Sequence, residues 1–555
     1  MKIRIQENGF TQQAEILRKC IAERIPPESE EGKLSIALCA DQTLGAQESY
    51  LITREEDGWK ITGADSAGLF YGIGKFLHSA KWTEDTLEPN PPTNLVTPAC
   101  GFRAIYFAVH FYNWYHMAPT GELENYLKEL LLWGYNAVIC IIPIINLDTF
   151  DEALFFDSVE KTRTIFKLAK KLSMKVGIIC VGNQGLKSAP AEYNADLSYD
   201  PTGKFRGHLG RNLCPSKPGV LDYMKRIWMT TMEQYQDIGL DYLITWPYDE
   251  GGCGCARCKP WGGNGYSELV LAFREESIKL YPNAKFIISA WLFDTPDNQG
   301  EYESLYPRLR NDLSFADFIL VDAHDKFPRY PLEHEAVKPI INFPEISMWK
   351  VYPWGGRGAN PMPKRFQGFW DETKHILKGG MPYSEGIYDD IMKIQCVGYY
   401  WEPDRRVQSI LCEYINYEYS GEVCGEALEI MELIEKNHVA VAALREPDIN
   451  AANRAAELAV AVEKRLSERA KKSWRWRILY IRAQIDKMVY AYYSNVDMSR
   501  EEALYECRHT PEHCLAGNAQ VQALLQELCG YYHCVDSNGE NEATLPPVEG
   551  GKVKR

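Results

Sequence analysis

The stretch LDYLITWPYDEGGCGCARCKPW, Leu240–Trp261, holds the reading of the fold. It opens as a short apolar β-type run, Leu240–Thr245, and then delivers two adjacent carboxylates, Asp249 and Glu250. The glycine pair Gly251 and Gly252 follows, and after it Cys253, Cys255 and Cys258. A buried strand ending in carboxylates and a flexible loop places acid/base chemistry at the mouth of an α/β barrel. Neighbouring residues on a strand point to opposite faces, so both carboxylates reach one pocket only if the strand has already turned. The brackets Pro247 and Gly251 permit that turn.

Outward from this strand the same pattern repeats. Before it come FRAIYFA (Phe102–Ala108), AVICIIP (Ala137–Pro143) and KVGIICV (Lys175–Val181). After it come AKFIISAW (Ala284–Trp291), DFILVD (Asp317–Asp322), KPIINFP (Lys338–Pro344) and GGMPYSEG (Gly379–Gly386). Helical runs separate them, for example ELENYLKELLLWGYN (Glu122–Asn136). Eight β-type runs alternating with helices predict a (β/α)8 TIM barrel over residues 98–416. In front, residues 1–97 read as an α+β domain with strands at Lys33–Ala40 and Ser49–Glu55. Gly58–Ala80 adds a strand, a glycine turn and an amphipathic helix. The run GLFYGIGK inside it lacks the Walker spacing and the Ser/Thr after lysine, so it is not a phosphate loop. Pro-rich Leu87–Pro98 is the linker. Behind the barrel, residues 417–535 read as a helical C-terminal domain, with Ile478, Ile481, Ile485 and Met488 at helical spacing. The polar tail 536–555 is expected to be mobile.

Composition excludes several partners. A net charge of -15 repels phosphate backbones, which argues against nucleic acid. No run is apolar enough to span a membrane, and MKIRIQENGF lacks the apolar core of a secretory signal. A cytoplasmic protein is therefore expected, its 16 cysteines mostly reduced. A small oligosaccharide or glycoside is the expected partner, and self-association is left open.

The predicted strand ends collect the candidate site. Carboxylates are Asp249, Glu250, Asp294, Asp322, Glu345 and Glu385. Aromatic candidates are Tyr106, Trp114, Tyr115, Trp246, Tyr248, Trp291, Trp349, Tyr383 and Tyr388, with His110, His116 and His324 beside them. Carboxylates among rings suit glycoside hydrolysis: one acid protonates the leaving oxygen, a second group stabilises or attacks the sugar cation, and rings raise the acid's pKa. Trp291 and Trp349 would stack on sugar or act as core lids. Arg103 would bind sugar or pair with a carboxylate in the barrel floor. Asp389 and Asp390 are assigned to capping the following helix.

On these residues the chain resembles the family 20 glycoside hydrolases and the wider β-N-acetylhexosaminidase-like clan. Ile61–His78 is similar to the α+β domain preceding that family's barrel, and Gly101–Tyr112 to its first barrel strand. The resemblance implies sugar-hydroxyl binding by Arg103 and Glu385, a pocket wall at Trp291, Glu250 as general acid/base, and Asp249 orienting a substrate 2-acetamido group whose oxygen is the nucleophile. No cofactor is implied for catalysis. Here the glycines follow the Asp-Glu pair, whereas the family's signature places them before it. α-Glucuronidases, also with an α+β domain in front and a helical C-terminal region, are a second template. The expected function is therefore an exo-acting glycoside hydrolase releasing a terminal sugar, with a uronic-acid hydrolase or a catalytically silent carbohydrate-binding barrel as the other readings. His110, Trp246, Tyr248 and Tyr383 complete the expected sugar-binding set.

Cys253-x-Cys255-x-x-Cys258 can close three thiolates around a structural zinc, with Cys214 or His208 as the fourth ligand. Simple reduced cysteines are the other reading, and without an open His-rich site a catalytic zinc is not expected. A second group, Cys507, His509, His513 and Cys514 with Cys529, His533 and Cys534 beyond, has metal-compatible spacing that chance on a helix surface also explains.

Overall fold

The computed structural model describes residues 2–25, 33–83, 85–111, 113–142, 144, 147–197, 211–247, 252–294, 300–322, 326–347, 358–443, 445–493 and 518–533. Its N-terminal part is a sheet of Lys2–Gln6, Lys33–Ala40, Gly58–Gly63 and Tyr50–Glu55, in that spatial order. Tyr50–Glu55 alone runs antiparallel to its neighbour. The first strand and the helix Thr11–Ala22 were not expected from sequence, because Lys2–Gln6 is short and only half-buried. The helix Ser66–His78 starts where Asp65 accepts a hydrogen bond from the Gly68 N–H at 2.8 Å. GLFYGIGK lies inside this helix, and its glycines serve close packing. A Cβ at Gly74 would sit 1.9 Å from the carbonyl oxygen of Leu132 on the helix Thr120–Trp133.

The barrel strands are Phe102–Phe107, Ala137–Ile141, Lys175–Val181, Tyr242–Trp246, Lys285–Ser289, Phe318–Asp322, Ile340–Phe343 and Leu377–Gly380. All are parallel and adjacent in chain order, and the eighth pairs back onto the first through Gly379–Phe102 and Gly380–Arg103. A continuation, Tyr383–Ser384, pairs with Tyr106 and Phe107. The closed (β/α)8 barrel is thus the one the alternating pattern predicts. Its strands read as unbroken apolar runs because both faces are covered. Ile105, Phe107, Val138, Cys140, Ile178, Leu243 and Ile288 point outward into the core shared with the helices. Phe102, Ala104, Ile139, Ile179, Tyr242, Ile244, Ile287, Leu320 and Ile341 point inward and fill the ring. At Gly177 a Cβ would approach the Tyr242 Cβ to 2.6 Å, so glycine leaves room for that ring in the floor.

Helices Val407–Ile415, Cys424–Ala442, Ile449–Glu463, Trp474–Tyr493 and Ala519–Tyr532 make the C-terminal region. Cys412 and Cys424 form a disulfide there, whereas 11 other described cysteines are free. Among the described residues no helix is long and apolar enough to cross a membrane. The tail 536–555 lies outside the described residues.

For Arg103 the sugar-binding reading is corrected and pairing with a carboxylate stands, with a partner outside the barrel. It is the second residue of the first strand, so it lies at the N-terminal face, away from the mouth where barrel sites form. Its guanidinium is fully buried and pairs with Glu48 of the N-terminal sheet at 2.7 Å. It also donates to the carbonyls of Gly134 (2.8 Å) and Cys100 (2.7 Å), between the rings of Trp401 and Tyr71. Arg103 is therefore a bolt between the sheet and the barrel. Removing one partner of such a buried pair strands the other, so Arg103→Met should lower unfolding free energy by about 3–5 kcal/mol. Urea unfolding checks this; an unchanged midpoint would contradict the bolt.

His78 sits against Trp133 (3.6 Å, stacked) and Tyr417 (4.5 Å), and burial pushes its imidazole down to about 3. The unfolded chain takes up that proton near the ordinary value of about 6.5, so stability falls as pH drops below it. His78 alone should cost about 2 kcal/mol by pH 5. His78→Phe should flatten the fall between pH 7 and pH 5 in unfolding titrations, whatever its effect at pH 7.

Candidate active site

Aromatic rings close the floor of the barrel mouth. Trp246 ends the fourth strand, Phe343 ends the seventh, Tyr383 lies on the eighth-strand continuation, and Trp291 follows the fifth. Trp246, Trp291 and Phe343 pack with centroids 5.1–5.5 Å apart, and Phe343 and Tyr106 both contact Tyr383. Each is an inward position near a strand's C-terminal end, so strand period and parallel closure together gather them. Phe343 was not singled out from sequence; its place in KPIINFP was the available signal. The Tyr106 hydroxyl lies 3.4 Å from His110 Nδ1, and burial pushes that imidazole down to about 3, so it is neutral.

Two carboxylates meet this floor. Glu385 is 7% exposed and accepts hydrogen bonds from the hydroxyls of Tyr383 (2.8 Å) and Tyr388 (3.1 Å). Its own N–H donates to Ser347 Oγ at 3.0 Å. Glu345, 8% exposed, bridges in parallel register to Tyr383. Asp294 is exposed after the fifth strand.

Beneath Glu385 lies a buried charge network that sequence reading missed. Asp389 and Lys393, both without side-chain exposure, pair at 2.5 Å. Ser347 donates to Asp389, and Ser384 Oγ reaches both Asp389 oxygens at 3.0 Å. Lys393 also donates to the Gly386 carbonyl (2.6 Å) and the Tyr126 hydroxyl (2.7 Å). Burial pushes the Asp389 carboxyl up and the Lys393 ammonium down, and their mutual attraction opposes both shifts. Asp390 accepts from Tyr126, Tyr414 and Arg475 at 2.8–2.9 Å. The capping assignment for Asp389 and Asp390 is thus corrected: Asp389 stands at the helix start but makes no cap hydrogen bond, because its oxygens are engaged inward. The i, i+4 spacing of Asp389 and Lys393 was the legible hint. Tyr115 is corrected likewise. It is fully buried, stacks on Phe107 at 3.8 Å, and its hydroxyl meets Ser384 Oγ at 2.5 Å, behind the rim. His116 pairs with Asp157 at 2.8 Å.

Tyr248, Asp249, Glu250, Trp349, His208 and His324 lie outside the described residues, and so does the side chain of Asp322. The flanks of the carboxylate pair are described. The Trp261 indole N–H donates to the Pro247 carbonyl at 2.9 Å. Buried Asn183, past the third strand, accepts from the Gly252 N–H (2.8 Å) and donates to the Gly252 carbonyl (2.9 Å). Cys214, Cys253, Cys255 and Cys258 converge beside this clamp, with their sulfurs within 4.8 Å of one another. In the second cysteine–histidine group, His533 pairs with Glu122 at 2.9 Å, Cys529 is buried, and the other five residues are outside the described set.

No family model matches the sequence, and no curated protein sequence matches it. Solved structures share the fold. A family GH89 enzyme, CpGH89 from Clostridium perfringens in complex with GlcNAc-α-1,4-galactose, aligns over 94% of this chain and 64% of its own, at TM-score 0.61 and 11% identity. A family GH115 4-O-methyl-α-glucuronidase aligns over 96% and 75%, at TM-score 0.60 and 11% identity. A family GH20 β-N-acetylglucosaminidase aligns over 75% and 92%, at TM-score 0.50 and 13% identity. These likenesses carry the barrel architecture and, at such identities, the fold alone.

The Asp389–Lys393 pair gives a direct test of the network. Lys393→Met strands a buried carboxylate and should destabilise by about 3–5 kcal/mol. Adding Asp389→Asn should recover part of that loss, measured as a double-mutant cycle in urea. Strict additivity of the two substitutions would contradict the pairing.

Proposed function

We propose that the chain is an exo-acting glycoside hydrolase that removes a terminal N-acetylhexosamine from a small oligosaccharide or glycoside. The observation that carries the reading is Glu385: a buried carboxylate held by two tyrosine hydroxyls above an aromatic floor at a barrel mouth. Such a carboxylate accepts hydrogen bonds from sugar hydroxyls, and rings such as Trp246 and Trp291 offer apolar faces to a pyranose. In this reading Glu250 protonates the leaving oxygen and then takes the proton of the attacking water. Asp249 orients the 2-acetamido group, whose carbonyl oxygen attacks the anomeric carbon and is released when water opens the intermediate.

Support for a hexosamine comes from proteins that share the fold. Proteins of this fold include a β-N-acetylglucosaminidase and an enzyme whose stated substrate is GlcNAc-α-1,4-galactose. The 4-O-methyl-α-glucuronidase of the same fold motivates the second reading, a uronic-acid hydrolase.

A panel of aryl glycosides tests both. Turnover is expected on an aryl N-acetylhexosaminide, with little on the glucuronide. Glu250→Gln should lower kcat about 10²–10⁴-fold. Glu385→Gln should lower kcat/KM about 10–150-fold, the worth of a charged hydrogen bond. Wild-type rates in the Glu250 variant would overturn the acid assignment, and glucuronide turnover alone would favour the second reading. A fully inactive panel would favour a silent binding barrel.

A further inference from the structure

The four cysteines beside the mouth come from two separate segments that the fold forces together. A two-residue ladder pairs Gln184–Gly185 with Arg211–Asn212 and delivers Cys214 just beyond it. The Leu213 N–H donates to the Asn183 carbonyl at 2.9 Å, so Cys214 is anchored to the same residue that clamps Gly252. On the other segment, the N–H groups of Cys258 and Lys259 donate to the Cys255 carbonyl at 2.9 and 3.1 Å. That turn brings Cys255 and Cys258 together within reach of Cys214.

The spacing of the sulfurs is the decisive feature. Cys214 Sγ lies 3.8 Å from both Cys255 Sγ and Cys258 Sγ, and all four sulfurs lie within 4.8 Å of one another. A tetrahedral ion with metal–sulfur bonds of about 2.3 Å sets its ligands about 3.8 Å apart. These sulfurs are therefore spaced like the corners of a ligand tetrahedron and are too far apart for a disulfide. Cys214, Cys253 and Cys258 are at most 2% exposed. The backbone N–H of Asp196 points at Cys253 Sγ (3.4 Å), and the Ser216 hydroxyl lies 3.0, 3.6 and 3.7 Å from the sulfurs of Cys214, Cys255 and Cys258. The Asp196 N–H supports thiolate charge on Cys253, and the single Ser216 hydroxyl hydrogen can serve one of the sulfurs beside it. Casual packing of small apolar side chains would not need four sulfurs at one point.

We propose that Cys214, Cys253, Cys255 and Cys258 hold a structural zinc ion that fixes the loop leaving the fourth barrel strand. Four thiolates fill the tetrahedron, so no position stays open for water or substrate, and the ion's role is to staple. Binding releases thiol protons to solvent and makes no other bond change. The staple lies next to two anchors, the Trp261–Pro247 and Asn183–Gly252 hydrogen bonds, that bracket residues 248–251.

Zinc binding is read out without substrate, so its test is separate from that of the hydrolase activity. The full-length protein, purified under reducing conditions without chelator, should carry one zinc per chain by plasma emission analysis. X-ray absorption at the zinc edge should show a shell of four sulfurs at about 2.3 Å. Cys253→Ser and Cys258→Ser should each lower the zinc content. Wild-type protein without zinc, with iron instead, or with nitrogen or oxygen in the zinc shell would overturn the proposal, and these results do not depend on whether a cysteine variant folds. If the hydrolase reading also holds, stripping zinc should lower kcat and readdition should restore it.

Discussion

Closure of the eight-stranded ring is the constraint on which the rest depends. The eighth strand must return to the first, and it does so at a place of close backbone approach, where a Cβ on Gly379 would sit 1.8 Å from the Phe102 carbonyl oxygen. Met381 and Pro382 then interrupt the strand before Tyr383 and Ser384 resume pairing beside Tyr106 and Phe107. This break brings Glu385 to the C-terminal face, within hydrogen-bond reach of the Tyr383 hydroxyl. A closed parallel ring also gives all eight strands one common exit face, so residues far apart in sequence become neighbours there. Trp246, Trp291, Phe343 and Tyr383 meet for that reason alone.

A carboxylate in such a place needs support. Asp389, Lys393, Ser347 and Ser384 form a buried polar layer under Glu385, and Asp390 extends it through Arg475 to Glu129. Arg475 belongs to the long C-terminal helix Trp474–Tyr493, and the ring of Tyr532 lies 5.8 Å from that of Tyr388, whose hydroxyl holds Glu385. The helical region therefore stiffens the mouth from outside the barrel. Buried charges of this kind are costly to place and strongly destabilising to break, which favours one fixed geometry at the site.

Much of the architecture was legible in the residues. The eight barrel strands read as short apolar runs because burial on both faces removes the polar alternation that would obscure them, and turn residues bound each run. Strand Lys2–Gln6 escaped notice because its residues alternate between half-buried and exposed, leaving no apolar run. Site residues were harder for a different reason. Cys214 and the Cys253–Cys258 cluster could be paired by chemistry, since few arrangements demand such spacing. Arg103 was open between sugar and a carboxylate; the carboxylate reading stands, but its partner, Glu48, comes from the N-terminal sheet, 55 residues away in sequence and beyond any local pattern. Asp389 and Asp390 misled because the start of a helix suggests capping, whereas Lys393 one turn later and serines from two other segments engage the carboxylate first. Those partners are distant in sequence, and pairwise contacts across such separations leave no mark on local pattern.

The central claim is that the barrel mouth receives one terminal sugar ring over the Trp246–Trp291 floor, with its hydroxyls on Glu385 and its glycosidic oxygen facing Glu250. A crystal structure of the Glu250→Gln protein with a hexosamine-configured iminosugar measures this most directly. The account predicts a ring seated against those indoles, hydrogen-bonded to Glu385, with residue 250 beside the anomeric position. A ligand bound elsewhere, or residue 250 turned away from the ring, would contradict it.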